Sequence, residues 1–107
     1  MKVYISGPIT GIPDENRESF RLAAMILRSN GHEAINPHEL NHIEGATWLD
    51  YMRRDIIEMM ACDAVTTLPG WENSRGALTE IGLCERLGIP IYDIVTFWRP
   101  SNETAGV

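Results

Sequence analysis

The third apolar helix pattern of the sequence contains a carboxylate where a core residue is expected. In SRGALTEIGLCERLG, residues 74–88, one stripe of helical spacing carries Ala77, Ile81, Cys84 and Leu87. Glu80 falls inside that stripe. Burying a carboxylate is costly unless the group is paired or has a function. The pattern therefore predicts that this helix either covers a water-filled cleft or holds Glu80 for chemistry.

A second acid occupies a similar position on the preceding helix pattern. Asp55 shares a face with the apolar and aromatic residues Trp48, Tyr51, Met52, Met59 and Cys62. One buried acid is often structural, since it can hold a backbone amide. Two such acids, on helices that follow each other in the chain, favour a common functional site over two separate structural roles.

Loops rich in glycine add groups that suit an anion. SGPITG, residues 6–11, contains Gly7 and Gly11, where a backbone can approach a ligand without Cβ atoms in the way. Ser74 and Gly76 open the third helix, where free amides and the helix dipole attract negative charge. Together these loops predict a phosphate cradle. The alternative is that the glycines only shape turns and that Ser74 only caps its helix. Arg75 either adds charge to the cradle or is a solvated surface residue.

The elements that must position these groups alternate along the chain. Strand-like runs at 2–6, 32–36, 63–68 and 89–95 are separated by three helix patterns. Asp14 is expected to cap the first helix, which Gly31 ends, and TWLD is a capping box opening the second at Thr47. This order predicts an α/β fold, a flavodoxin-like or Rossmann-like three-layer sandwich with a four- to five-stranded parallel sheet. In such sheets, ligands bind beyond the carboxyl ends of the strands.

Bulk properties restrict the class of function. The chain has 107 residues, enough for one domain, which we place at 1–99 with a polar tail at 100–107. A net charge of −6 argues against binding a nucleic acid polymer or a membrane surface. We see no signal peptide and no apolar run near the ~20 residues of a membrane span. Cys62 and Cys84 lack metal-site spacing, which favours reduced thiols in a cytoplasmic protein.

Two motifs carry a family resemblance. The opening YxSGPI and the SxGxxxE spacing of Ser74, Gly76 and Glu80 resemble the nucleoside 2-deoxyribosyltransferase-like superfamily, over a match from Lys2 to about Tyr92. In particular, the chain resembles short phage and bacterial proteins described as deoxyribosyltransferase-like domains of unknown function. It is also similar to the deoxynucleoside 5′-monophosphate N-glycosidases.

The resemblance implies roles for the residues that match its motifs. It makes Glu80 the nucleophile, Asp55 a second active-site acid, and Tyr4 the group that orients the nucleophile. The positions implied to hold a 5′-phosphate are Gly7, Ile9, Gly11, Ser74 and Gly76. It also implies an enzyme without cofactor or metal that assembles as a homodimer or a higher homo-oligomer. The implied ligand is a small deoxynucleotide or deoxynucleoside.

The residue types fit cleavage of an N-glycosidic bond. The reaction passes through an oxocarbenium-like state, which a carboxylate can stabilise or trap as a covalent glycosyl-enzyme. Glu80 is expected to attack the anomeric carbon, while Asp55 either protonates the leaving base or hydrogen-bonds the sugar. Trp71 either stacks on the base or is a loop anchor. Hydrolysis and transfer to a second base both stay open, as do a nucleotide-binding module with little catalysis and a protein-interaction domain.

One rival motif points to metal chemistry. HELNH, residues 38–42, matches the H-E-x-x-H pattern of zinc proteases, in which two histidines one helical turn apart bind the metal. Pro37 and Gly45 leave room for about two helical turns at most, and His32 is the one remaining histidine of the chain. A surface loop that matches by chance is the favoured interpretation.

Overall fold

The predicted alternation of strands and helices is confirmed. A computed structural model describes residues 1–98 of the chain, so the tail proposed for 100–107 lies outside the described residues. The strands are β1 (Lys2–Ser6), β2 (Glu33–Ile35), β3 (Ala64–Thr67) and β4 (Ile91–Asp93), and the helices are α1 (Arg17–Ser29), α2 (Trp48–Met60) and α3 (Arg75–Leu87). Within residues 1–98, none of the helices is both long and apolar enough to cross a membrane.

The four strands form one parallel sheet in the order β2-β1-β3-β4. This is the flavodoxin-like α/β class that the sequence predicts. β1 is central: Tyr4 pairs with Ile35 of β2 on one side and with Val65 of β3 on the other. The chain leaves β1 toward β2 and later returns to β3 on the opposite side. The strand order therefore reverses between β1 and β3, where open α/β sheets form their ligand crevice.

The sheet separates two hydrophobic clusters. The α1 cluster contains Val3 and Ile5 of β1 together with buried residues of α1 and of the segment after β4, among them Phe20, Leu27 and Phe97. The α2/α3 cluster contains Tyr4, Met59, Val65, Ile81 and Cys84. Since successive side chains of a strand point to opposite faces, β1 sends Val3 and Ile5 to one cluster and Tyr4 to the other.

Local capping signals fix where α2 and α3 begin. The Thr47 hydroxyl accepts from the Asp50 amide at 3.2 Å, and the Asp50 carboxylate accepts from the Thr47 amide at 3.0 Å. The predicted capping box is therefore formed. Ser74 caps α3 by accepting from the Ala77 amide at 3.2 Å, and Gly88 ends that helix with a φ of 77°.

The prediction that Asp14 caps the first helix is wrong. α1 begins at Arg17, and Asp14, Glu15 and Asn16 all have left-handed backbone conformations, with φ between 51° and 59°. The Asn16 side chain donates to the Pro8 carbonyl at 2.9 Å, which ties this left-handed turn back to the loop after β1. A tertiary contact thus replaces the local cap.

β1 has the bounds that its sequence pattern predicts, whereas the other three strands are shorter than their patterns, most clearly β4. The pattern extends over 89–95, but the strand ends at Asp93, whose carboxylate accepts from the Val95 amide at 3.0 Å. This cap starts a 3₁₀ turn, Ile94–Phe97, that buries Ile94 and Phe97 in the α1 cluster. Ile94, which the pattern assigns to the strand, therefore reaches the core from a turn.

Candidate functional site

A cavity of about 850 Å³ lies beyond the carboxyl end of β1 and beside the first turns of α2 and α3. It occupies the edge of the sheet at which the sequence places the site. Of the predicted site residues, those that line it are Tyr4, Gly7, Ile9, Asp55, Ser74, Gly76 and Glu80. Asp55 and Glu80, the two acids that interrupt apolar helix faces, therefore line the same cavity.

Glu80 is held by two hydroxyl groups. Its side chain is 5% exposed, and the Tyr4 hydroxyl donates to Oε2 at 2.7 Å. The Ser6 hydroxyl donates to Oε1, also at 2.7 Å. Ser6 was not predicted from the sequence, although it lies two residues after Tyr4 and so shares its strand face. Each carboxylate oxygen thus has a buried donor, which fixes the orientation of the group.

The environment of Glu80 brings its ionisation close to neutral pH. Burial raises the pKa of Glu80, the hydrogen bonds from Ser6 and Tyr4 lower it and the nearby Asp55 raises it, and together these effects bring the pKa to about 7. Burial, and then the proximity of Glu80, raise the pKa of Tyr4 well above its usual value. Tyr4 therefore remains a protonated donor while Glu80 changes its charge.

Asp55 is paired with its neighbour in sequence. The Arg54 guanidinium donates from Nε at 2.9 Å and from Nη2 at 2.8 Å to the same oxygen, Oδ1. Burial raises the pKa of Asp55, and the contact with Arg54 opposes that rise. Arg54 also donates to the carbonyl of Asn41 at 2.8 Å. It therefore joins the acid to the loop that forms one wall of the cavity, a role that no local pattern indicates.

The structure brings together only some of the residues that were predicted to bind a phosphate. Gly7, Ile9, Ser74 and Gly76 line the cavity, whereas Gly11 is not among the described residues that do so. Trp71 is half-buried and packs against the α2/α3 cluster, and it too is absent from the described lining.

A different tryptophan contributes to the cavity wall. Trp48 lines the cavity, and the Arg75 guanidinium lies over its ring with Cζ 4.1 Å from the ring centroid. Tyr51 lines the same wall, one turn further along α2. Both aromatic residues belong to the face of α2 on which Asp55 was identified, so the helical pattern contained this information.

The HELNH segment does not form the helix that a zinc protease motif requires. Pro37–Glu39 is a single 3₁₀ turn, and the residues after it are irregular. Nε2 of His38 lies 2.8 Å from the Glu15 carbonyl oxygen, and Nδ1 of His42 lies 3.1 Å from the Tyr51 hydroxyl. Among residues 1–98, no group of three or more His, Cys, Asp or Glu side chains could hold a metal ion.

Gly7 is constrained by packing as well as by its place in the cavity wall. A Cβ atom at this position would lie 2.8 to 3.0 Å from three side-chain carbons of Leu68. We expect Gly7→Ala to lower the free energy of unfolding by about 1–3 kcal/mol, because buried atoms must move apart. Urea denaturation measures the change.

Gly82→Ala is the matched control for Gly7→Ala. Its Cβ would meet the flexible end of Arg86 at 3.2 Å, and alanine is favoured over glycine inside α3. A gain in stability of up to about 1 kcal/mol is expected there. Equal effects of the two substitutions would contradict the packing argument.

Comparisons with known proteins agree with this architecture. A family model described as a domain of unknown function (DUF4406) matches residues 1–93. A search of curated proteins gave no match. Among solved structures, the 2-deoxyribosyltransferase of Bacillus psychrosaccharolyticus is similar with a TM-score of 0.69 at 21% identity. That match covers 87% of this chain and 71% of the other.

Two further structures have the same fold. A 2-deoxyribosyltransferase from Leishmania mexicana matches with a TM-score of 0.65 at 20% identity, over 86% of this chain and 62% of that one. A conserved protein from Enterococcus faecalis V583 matches with a TM-score of 0.64 at 21% identity, over 87% and 62%. The chain thus spans less than two thirds of these two proteins. The deoxyribosyltransferase-like fold that the motifs predict is confirmed.

Proposed function

The chain belongs to the family described as a domain of unknown function (DUF4406), and we propose that it cleaves or transfers the N-glycosidic bond of a 2′-deoxynucleoside 5′-monophosphate. Glu80 is the proposed nucleophile. The observation that carries the proposal is the buried Glu80 carboxylate in the cavity wall, with hydroxyl donors from Tyr4 and Ser6 on its two oxygens. The fold shared with 2-deoxyribosyltransferases supports the same reaction class.

The reaction begins with attack of a Glu80 oxygen on the anomeric carbon. The bond from that carbon to the base breaks, and the base leaves with the bonding electrons. Asp55 lines the same cavity, and in the proposed reaction its protonated form gives the leaving base a proton. Water, or a second base, then attacks the anomeric carbon of the glycosyl-enzyme, gives its proton to the Asp55 carboxylate and releases Glu80 as a carboxylate. Tyr4 keeps Glu80 oriented through both steps.

A phosphorylated substrate is proposed from the charges around the cavity. Two of its arginines are paired with acids, Arg54 with Asp55 and Arg17 with Glu15. Arg75 has no carboxylate within ion-pair distance in the part of the chain that the structure describes. It is the first residue of α3, where the helix dipole also favours an anion. A 5′-phosphate at this helix end would gain both interactions.

The proposal is tested by mass spectrometry of reactions with purified protein. The panel contains common and modified 2′-deoxynucleosides and their 5′-monophosphates, each with and without a second free base. Free base together with deoxyribose 5-phosphate is the expected product of hydrolysis, and a new deoxynucleotide is the expected product of transfer. If no compound is consumed, the enzyme proposal fails for this panel. Calorimetric binding of the same compounds would then favour a nucleotide-binding module.

Arg75→Gln should separate phosphate recognition from chemistry. We expect KM for the monophosphate to rise by about tenfold, the loss typical of one charge-assisted hydrogen bond, with little change for the matching nucleoside. Steady-state kinetics on both substrates measures the ratio. Arg86→Gln, at the exposed far end of the same helix, is the control and should leave both values unchanged. An equal loss on both substrates would argue against a phosphate at Arg75.

A further inference from the structure

Ser6 donates a hydrogen bond to Glu80 but takes no part in the reaction steps proposed above. We propose that Ser6 is a positioning residue, which keeps Glu80 ionised and fixed for attack by donating to Oε1. The catalytic meaning of this role rests on the proposed function, but the effect on Glu80 can be measured without any substrate.

Ser6 acts from behind the carboxylate. It is the last residue of β1, is 1% exposed, and is not among the described residues that line the cavity. Its hydroxyl lies 2.7 Å from Oε1 of Glu80. The described contact through which its hydroxyl can influence the cavity is therefore the hydrogen bond to Glu80.

The residue type at this position supports a specific use of the hydroxyl. β1 reads KVYIS, and Val3, Tyr4 and Ile5 fill the two clusters with apolar surface. A buried hydroxyl costs free energy unless it forms a hydrogen bond. In Ser6 that bond goes to Glu80, so the same interaction that satisfies the serine also stabilises the charged form of the acid.

The groups that face Glu80 divide into two sets. From β1, the hydrogen bonds of Tyr4 and Ser6 favour the carboxylate; from α2, the charge of Asp55 disfavours it, as burial does. On α3 itself, Cys84 is the neighbouring titratable residue, one turn further on. Arg54, also on α2, is paired with Asp55. The Tyr4 hydroxyl donates to Oε2, so Ser6 is the described hydrogen-bond donor to Oε1.

The test is a titration of Glu80 in the free protein by ¹³C NMR of its side-chain carboxyl group. Ser6→Ala removes the donor to Oε1, and we expect the midpoint to move upward by about one pH unit. Thr67→Val is the matched control, since Thr67 pairs with Ser6 in the sheet and is buried. It removes a hydroxyl from the adjacent strand and should leave the midpoint unchanged.

Kinetics then give a second readout. If Ser6 acts through ionisation, Ser6→Ala should lower kcat/KM about tenfold near pH 6 and by less than about twofold near pH 9, where Glu80 is ionised in both proteins. Ser6→Thr keeps a hydroxyl and is expected to restore the wild-type midpoint. It also serves as the second variant if the alanine variant folds poorly.

The outcomes are distinguishable. An unchanged Glu80 midpoint in Ser6→Ala, or an equal loss of kcat/KM at both pH values, overturns the positioning role. A raised midpoint supports it, even in a protein that consumes no deoxynucleotide. That last case would refute the proposed reaction while leaving the effect of Ser6 on Glu80 established.

Discussion

Glu80→Gln is expected to lower kcat/KM by roughly 10³-fold or more toward whichever deoxynucleotide the protein consumes. An amide cannot form the glycosyl ester, and it cannot balance the positive charge that develops at the anomeric carbon. The substitution keeps the shape of the side chain, and the hydroxyl groups of Tyr4 and Ser6 can still hydrogen-bond to it. The loss should therefore appear in kcat rather than in substrate binding.

The control for this experiment lies on the same helix. Glu85 is an exposed residue of α3, and Glu85→Gln makes the same chemical change away from the cavity. Product formation by mass spectrometry and substrate binding by calorimetry should be compared for both variants. Wild-type turnover by Glu80→Gln would exclude Glu80 as the nucleophile, whereas loss of binding in the same variant would point to a structural role.

The second large effect of Glu80→Gln concerns stability: the substitution that lowers activity is expected to stabilise the fold at high pH. Burial raises the pKa of Glu80 from an ordinary value of 4.5 to about 7, so the folded protein holds a proton that the unfolded chain has lost. Wild-type stability should therefore fall as the pH rises from 4.5 through 7. Glu80→Gln removes that dependence. Above about pH 8 it should be the more stable protein, by on the order of 2 kcal/mol.

Urea denaturation of both proteins at pH 5 and at pH 8.5 measures this difference. The advantage of the glutamine variant should be small at the lower pH and near its maximum at the higher one, where wild-type Glu80 is ionised in the folded state. Glu85→Gln, at an exposed position, should show no comparable pH-dependent gain. A glutamine variant that is less stable at pH 8.5 would mean that the two hydroxyl donors outweigh the cost of burying the charge.

The sequence predicts those features that depend on local spacing. Helical periodicity identifies both Glu80 and Asp55, because a residue on an apolar stripe must face the interior whatever the partner surface is. The capping box at Thr47 and the serine cap of α3 are also local, since each involves residues three positions apart. The parallel sheet follows from the alternation of strands and helices, and with it the edge at which the cavity lies.

Features that depend on distant contacts could not be predicted in this way. Ser6 reaches Glu80 across 74 positions of sequence, and no spacing rule connects them. Asp14 matches a helix cap, but the contact from Asn16 to Pro8 places it in a left-handed turn instead. The sequence leaves two roles open for Trp71, and only packing decides that it joins the α2/α3 cluster.

The division of the interior by the sheet has a consequence for how such a chain can diverge. The α1 cluster is apolar and lies across the sheet from Tyr4, whose own cluster adjoins Glu80. Among the helix residues of that cluster, Phe20 also lines the cavity, so a change of its volume can reach the site directly, whereas Leu27 is not among the described lining residues. Residues of the α1 cluster that do not line the cavity can therefore change in bulk and shape, while the opposite face of the sheet keeps its hydroxyl and carboxyl groups in register.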